Sequence, residues 1–121
     1  MALRDELTLR LRVAMKDRDR AVAAALRTAL GAIANAEAIP VPDATSSVTS
    51  THVAGAVAGL GAAEAPRRSV TEDEQRTIVA TQRAELADHA GRLAQLCRLD
   101  EADAARRAAG VLGDALDAVS P

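Results

Sequence analysis

Apolar side chains recur every three or four residues in four segments of the chain, the spacing at which side chains share one face of an α-helix. The first segment spans about residues 3–17, and the second continues to about residue 38. The third begins at Thr71, and a break near residues 98–100 separates it from the fourth. The residues that share these faces are Leu3, Leu7, Leu11, Ala14 and Met15, then Val22, Leu26, Ala29, Leu30 and Ile33, then Ile78, Val79, Gln82, Leu86, His89, Ala90, Leu93, Leu96 and Cys97, and finally Ala102, Ala105, Ala109, Leu112 and Leu116.

Local motifs mark where the second helix starts and stops and where the third begins. Asp17 and Asp19 can each accept hydrogen bonds from free backbone amides, so either is a candidate cap for the second helix. Pro40 and Pro42 stop that helix, because proline has no amide hydrogen and clashes with the preceding turn. Residues Thr71–Glu74 form a capping box, in which the threonine hydroxyl accepts from the glutamate amide and the glutamate carboxylate reaches back.

The two helical blocks are separated by a segment without a periodic apolar stripe. Residues 40–70 are rich in Gly, Ser, Thr and Ala, and about 30 residues without periodicity is long for a loop inside a compact domain. The short connections within each block favour antiparallel neighbours. We therefore predict an all-α fold and one domain over residues 1–121. In it, two antiparallel helical hairpins, residues 1–39 and 71–120, form a small four-helix bundle joined by a flexible linker over residues 40–70.

The composition supports a helical protein and excludes one kind of nucleic-acid recognition. Thirty of the 121 residues are alanine, the strongest helix former. The chain has no Phe, Trp or Tyr, and the absence of these strand-favouring rings argues against a β-sheet protein. Without aromatic rings the chain cannot stack nucleobases as most single-strand-binding proteins do. Its net charge of −2 is too small for self-repulsion to keep it unfolded.

The sequence predicts a cytoplasmic protein that does not cross a membrane. The single cysteine, Cys97, excludes an internal disulfide framework. Charges at positions 4–6 interrupt the place where a secretory signal needs an apolar run. The longest run without a charged or polar residue, Val53–Ala63, has eleven residues, whereas a membrane-spanning helix needs about 20.

No group of residues predicts catalysis, a metal or a cofactor. Cys97 and His89 are a candidate nucleophile and base, but eight residues of one helix hold them about 12 Å apart, beyond hydrogen-bond reach. We expect a thiol at a helix seam or end and an imidazole at the edge of the stripe. Two histidines and one cysteine match no metal-ligand spacing. The segment that contains Gly59 and Gly61 has neither the third glycine of a dinucleotide-binding loop nor the β-strand that precedes such a loop.

Basic residues concentrate in the first helical block. Residues 1–40 carry a net charge of +2, whereas residues 71–121 carry −4. Arginine contacts phosphate through paired hydrogen bonds, so such a surface is a candidate RNA-binding site. The alternative is an ordinary salt-bridged helix surface, since Asp17 and Asp19 lie among these cations. The candidate phosphate-binding residues are Arg10, Arg12, Lys16, Arg18 and Arg27, and Arg20, Arg67 and Arg68 are further members of the basic set.

A second candidate surface lies on the first helix. Leu9 and Val13 are four residues apart on the face opposite the predicted core, so they form a small apolar patch. Such a patch is a candidate contact for a protein partner or for a second copy of the chain.

Several segments follow one another in an order that matches a known family. They are Ala14–Asp19, Leu26–Arg27 and Ala32–Glu37, then Arg67–Glu74, and finally Leu96–Arg98 with Ala104–Leu112. These motifs resemble YqeY-like members of the GatB/YqeY family, which pair an AMK-x-x-D turn with a following LR…AI-x-N-x-E helix. The later segments resemble the opening of the family's third helix and its turn and fourth helix. The resemblance covers both helical blocks, and the linker is matched least. At the last turn the family often has glycine where this chain has Cys97. The family also continues into a small C-terminal helical domain beyond the position of Pro121.

The resemblance implies a role connected with tRNA. The family shares a helical region with the tail of GatB, the B subunit of the tRNA-dependent amidotransferase, whose reaction is carbon–nitrogen ligation with glutamine as the amide donor. No active site is carried over, because the catalytic portion of GatB has no counterpart here. We therefore expect a non-catalytic helical module that binds tRNA or an amidotransferase complex. The alternatives are a protein–protein interaction module without a nucleic-acid role and, less favoured, a ligase in its own right.

Overall fold

The computed structural model describes residues 2–38 and 69–119, and these ranges contain four α-helices and no strand. The helices are α1 (Leu3–Lys16), α2 (Arg20–Glu37), α3 (Glu72–Gln95) and α4 (Leu99–Ala118). The prediction of an all-α fold is therefore confirmed for these two ranges, and the helix bounds lie within a few residues of those that the sequence indicated. Almost all of the predicted linker falls outside the described residues. No helix within the described ranges is long and apolar enough to cross a membrane.

Side-chain caps fix the starts of α2 and α3. The Glu74 amide donates to Thr71 Oγ1 at 3.1 Å, and the Glu74 carboxylate accepts from the same hydroxyl at 3.4 Å. The Val22 amide donates to Asp19 Oδ1 at 3.3 Å, so of the two aspartates proposed from the sequence Asp19 is the cap of α2. Asp17 instead occupies the C-cap position of α1.

Apolar side chains from all four helices form one core. The largest fully buried side chains are Leu3 and Leu7 of α1, Leu26 and Ile33 of α2, Val79 of α3 and Leu112 of α4. The rest of the buried surface is mainly alanine, above all on α4. Since alanine keeps facing helices close together, α3 and α4 pack closely against each other. Arg76 strengthens this pairing by donating to the Leu116 carbonyl at 3.1 Å.

The α3–α4 pair extends beyond the turn that joins α1 to α2. Arg107 of α4 lies against Asp19 in that turn, so residues 99–106 of α4 continue about 12 Å past it. In this end of the fold α3 and α4 form a small core cluster of their own. Its buried members are Ala90 and Leu93 of α3 and Ala102 and Ala105 of α4.

Four residues of the predicted stripes lie at the surface. The inclusion of Met15 and Leu96 in the core was wrong, whereas the sequence had placed His89 at a seam or edge and Cys97 at a helix seam or end. Leu96 is 66% exposed and Cys97 is exposed, because α3 ends at Gln95 and both residues belong to the following turn. His89 is exposed in the two-helix end of the fold, where a single packing partner covers a narrower stripe. Met15 is 53% exposed because it follows the buried Ala14, and one residue rotates the side chain by about 100° around the helix.

The turn after α1 is a Schellman motif. Arg18 has φ of 60°, in the left-handed region. The Asp19 amide donates to the Ala14 carbonyl at 2.9 Å, and the Arg18 amide donates to the Met15 carbonyl at 3.2 Å. These two bonds satisfy the last carbonyl groups of α1 and reverse the chain. The motif therefore ends α1 and places Asp19 where it caps α2.

The turn after α3 repeats the same motif with a different residue in the strained position. Cys97 also has φ of 60°. The Arg98 amide donates to the Leu93 carbonyl at 2.9 Å, and the Cys97 amide donates to the Ala94 carbonyl at 3.0 Å. Glycine is preferred at this position because a side chain crowds the following carbonyl.

Replacing Cys97 by glycine is expected to stabilise the fold by about 1 kcal/mol, because the left-handed conformation is unstrained without a side chain. The measurement is the free energy of unfolding in urea. Leu96→Gly is the matched control, since Leu96 has φ of −87° and glycine there only adds freedom to the unfolded chain. A lower stability for Cys97→Gly would contradict this account of the turn.

Candidate nucleic-acid interface

An open cleft of about 600 Å³ lies beside the α1–α2 turn, and we call it the arginine cleft. Three of its seven lining residues are arginines. The lining consists of Ala14 and Met15 from α1, Arg18 and Asp19 from the turn, and Arg20, Ala23 and Arg27 from α2. Apart from Asp19, the other lining side chains are uncharged, so the guanidinium groups dominate the chemistry of the cleft.

The sequence positions these arginines by simple helical geometry. Arg20 and Arg27 are seven residues apart, about two turns, so they share the exposed side of α2. Val22 and Leu26 are buried on the other side of the same helix. Arg18 joins them because the Schellman turn folds the chain back at this point. The cleft thus combines a turn arginine with two helix arginines.

Arg18, Arg20 and Arg27 make no hydrogen bond or ion pair through their side chains within the described residues. Several other arginines of the fold are paired. Arg10 pairs with Glu6 at 2.7 Å, and Arg98 pairs with Glu101 at 2.8 Å. The arginine cleft therefore concentrates cationic groups whose hydrogen-bond donors remain available.

The one carboxylate that lines the arginine cleft is held by an arginine of α4. Arg107 Nε donates to Asp19 Oδ2 at 2.8 Å, and Arg107 Nη2 donates to Asp19 Oδ1 at 3.1 Å. This hydrogen bonding is the main reason that the pKa of Asp19 lies below its ordinary value, and the Val22 amide lowers it further against the opposing effect of burial. The same pair raises the pKa of Arg107. Asp19 therefore stays ionised, and the positive charge of Arg107 compensates its negative charge.

A second, smaller cleft of about 290 Å³ also includes Asp19. Its remaining lining residues are Arg10, Val13, Ala14 and Asp17 from α1 and the residue after it, Val22 from α2, and Arg107 and Val111 from α4. Asp19 and Ala14 are common to both clefts, whereas Arg107 lines the second one. Asp19 thus lies between two groups of cations.

The structure divides the basic residues that the sequence proposed as one set. Arg18 and Arg27 meet in the arginine cleft, together with Arg20, which the sequence had placed only among the wider basic set. Arg10 lies in the second cleft, and Arg12 lines a depression of about 250 Å³ with Asp5, Thr8 and Leu9. Lys16 is exposed at the end of α1. Arg67 and Arg68 lie outside the described residues.

Arg20 had a recognisable pattern in the sequence, because its spacing of seven from Arg27 puts both on one helix face. Arg107 had none. It is 88 residues from Asp19, and sequence periodicity places it only on the polar side of α4. The contact that neutralises the cleft carboxylate was therefore missing from the sequence-based prediction.

The residues proposed for other chemistry lie elsewhere. Cys97 is a free, exposed thiol in the α3–α4 turn, and His89 is exposed on α3. Within the described ranges no group of three or more His, Cys, Asp or Glu side chains is arranged to hold a metal ion. Leu9 and Val13 are 42% and 58% exposed on α1, so the apolar patch expected from the sequence is at the surface.

The chain was compared with known proteins by sequence and by structure. The sequence matches no protein-family model, no curated protein and no solved structure.

The stability that Asp19 contributes is expected to fall in acid. Because its pKa in the folded protein is below the ordinary value of 3.8, this contribution is complete above that value and is lost as the pH falls through the lowered pKa. The measurement is the difference in unfolding free energy between wild type and Asp19→Asn, followed in urea from about pH 7 to about pH 2. We expect the difference to be constant near neutrality and to decline in the acid range.

The matched control uses an Arg107→Gln background. Since the hydrogen bond from Arg107 is the largest cause of the lowered pKa, the same Asp19→Asn comparison should depend less on pH there. Equal pH dependence in both backgrounds would show that Arg107 is not the cause.

Proposed function

We propose that this chain is a non-catalytic helical module of the GatB/YqeY type that binds the phosphate backbone of tRNA through the arginine cleft. The observation that carries the proposal is the grouping of Arg18, Arg20 and Arg27, without neutralising partners among the described residues, around a cleft of about 600 Å³. The family resemblance supplies the identity of the RNA and the link to glutamine-dependent amidation. We further propose a cytoplasmic protein whose four helices are two antiparallel hairpins closed by the two Schellman turns.

The chemistry of the cleft suits phosphate groups. A guanidinium presents paired donors that match two phosphate oxygens, and it remains charged at every physiological pH. The cleft also contains the start of α2, whose peptide dipoles add partial positive charge at Arg20. Its carboxylate is compensated by Arg107 and so opposes an anion less than a free aspartate would. Together these groups favour a polyanion over a neutral ligand.

Composition restricts how the RNA is recognised. A chain without Phe, Trp or Tyr lacks the large rings on which single-strand-binding proteins usually stack bases. Arginines on a helix and a turn contact phosphates, which position an RNA without reporting its sequence. The proposed function is therefore backbone binding that depends on RNA shape and on salt. Selection of one tRNA is left to a partner, as in an amidotransferase complex.

Arg20→Gln/Arg27→Gln is expected to weaken tRNA binding and to reduce the slope of log affinity against log salt by about two, since each phosphate contact contributes about one. The measurement is an electrophoretic mobility shift with total tRNA over a series of salt concentrations. The control is Arg92→Gln/Arg106→Gln, which removes the same charge from exposed positions on α3 and α4.

Three outcomes distinguish the possibilities. Loss in the cleft variant beyond that of the control supports the proposal. Equal loss in both variants points to a diffuse charge effect and removes the role of the cleft. No binding by the wild-type chain at low salt removes the proposed function altogether.

The second candidate function is a protein interaction module, and the exposure of Leu9 and Val13 favours it. Large apolar side chains on a helix surface lose contact with water when another surface covers them. Arg12 and Asp5 both line the depression that contains Leu9, so the patch has an edge of mixed charge. A second copy of the chain or a partner with an apolar face fits this surface.

Leu9→Asp is expected to abolish self-association while the fold is retained, because Leu9 is 42% exposed and lies outside the core. The measurement is sedimentation equilibrium together with far-UV circular dichroism. Leu7→Asp is the contrasting control, since Leu7 is fully buried and a charge there should unfold the chain. An oligomeric state that Leu9→Asp leaves unchanged would count against this patch as a self-contact.

A further inference from the structure

The arginine cleft contains a potential internal competitor for any anion. Asp19 is the one carboxylate among the residues that line it, and Arg18 and Arg20 are its neighbours in the chain. A carboxylate with free oxygens at this place would accept hydrogen bonds from those guanidinium groups. It would then occupy donors that a phosphate needs and would cancel one of the three positive charges.

Arg107 removes this competition in the structure. It donates to both oxygens of Asp19, at 2.8 Å and 3.1 Å, in the paired geometry of a guanidinium–carboxylate contact. Oδ1 also accepts from the Val22 amide at 3.3 Å. Both oxygens therefore have partners that lie outside the set of arginines in the cleft.

The position of Arg107 separates its role from that of the cleft arginines. It lines the second cleft with Val22 and Val111 and is absent from the lining of the arginine cleft. It comes from α4, whereas the arginine cleft is built from α1, the turn and α2. Helix capping by itself does not require this contact, because an asparagine or serine caps a helix about as well as an aspartate.

We propose that Arg107 is a positioning residue for anion binding at the arginine cleft. It holds the Asp19 carboxylate and neutralises it from the side of the second cleft, which leaves Arg18 and Arg20 free for a phosphate. The inference rests on the proposed function, since it concerns the regulation of the same site. The inference adds a specific expectation. Arg107 does not line the arginine cleft, yet it controls the affinity of the cleft for phosphate, and it does so through Asp19 alone.

The test compares tRNA affinity, by mobility shift at low salt, among five variants and the wild type. Arg107→Gln frees Asp19. Arg106→Gln is its matched control, because Arg106 is the adjacent residue, pairs with Asp103 and has 55% side-chain exposure against 53% for Arg107. Asp19→Asn removes the competing charge but keeps a capping side chain. The double variants Asp19→Asn/Arg107→Gln and Asp19→Asn/Arg106→Gln complete the set.

Arg107→Gln is expected to bind tRNA about threefold to fivefold more weakly than Arg106→Gln, the range that the coupling of one exposed ion pair supports. In the Asp19→Asn background the two arginine substitutions should have equal effects. This rescue separates positioning from a merely structural role, because a distorted fold would not be repaired by a second substitution. A thermal unfolding curve of each variant shows whether it is folded at the temperature at which tRNA affinity is measured.

Two results would overturn the inference while leaving the proposed function in place. One is an equal loss for Arg107→Gln and Arg106→Gln. The other is an excess loss for Arg107→Gln that persists in the Asp19→Asn background, which would show that Arg107 acts directly on the RNA or on the fold. A wild-type chain that binds no tRNA would instead remove the proposed function, and this inference with it.

Discussion

The carboxylate of Asp19 connects three parts of this structure. It caps α2 through the Val22 amide, pairs with Arg107 of α4, and lines the cleft that contains the unpaired arginines. The preceding Schellman turn delivers Asp19 to this position, since its own amide closes the turn on the Ala14 carbonyl. Asp19 therefore closes the turn through its backbone amide, and its side chain caps α2 and contacts α4.

The small size of the core explains why such contacts carry weight. Among the described residues half of the buried side chains are alanines, and the largest fully buried side chains number six. The hydrophobic contribution scales with buried apolar area, so an alanine contributes less than a leucine. Alanine compensates through its helix propensity and through the close packing that it permits between α3 and α4. In such a fold the caps and the turn conformations are a larger share of the stability than in a core rich in aromatic residues.

The distribution of charge matters more for the proposed function than its sum. The chain has a net charge of −2, yet three arginines line one cleft. Arg18 comes from the Schellman turn, and Arg20 and Arg27 lie two helical turns apart on one side of α2. Arg10 and Arg106, by contrast, are paired with acids three or four residues away on their own helices. Arginines of equal charge thus differ in what they can bind, and the difference lies in their local partners.

The sequence alone determined the four helices, the capping box at Thr71, most of the buried stripes and the exposure of Leu9 and Val13. Each depends on residues within a few positions of one another, where helical periodicity and backbone chemistry act directly. It left Asp17 and Asp19 as equal candidates for the α2 cap, and it extended the α3 stripe to Leu96 and Cys97. Only the tertiary structure separated Arg18, Arg20 and Arg27 from the other cations and paired Asp19 with Arg107. The grouping of the arginines depends on where the α1–α2 turn ends. The Asp19–Arg107 pair is a contact between residues 88 positions apart, and no local pattern encodes the distance between two helices that meet only in the folded chain.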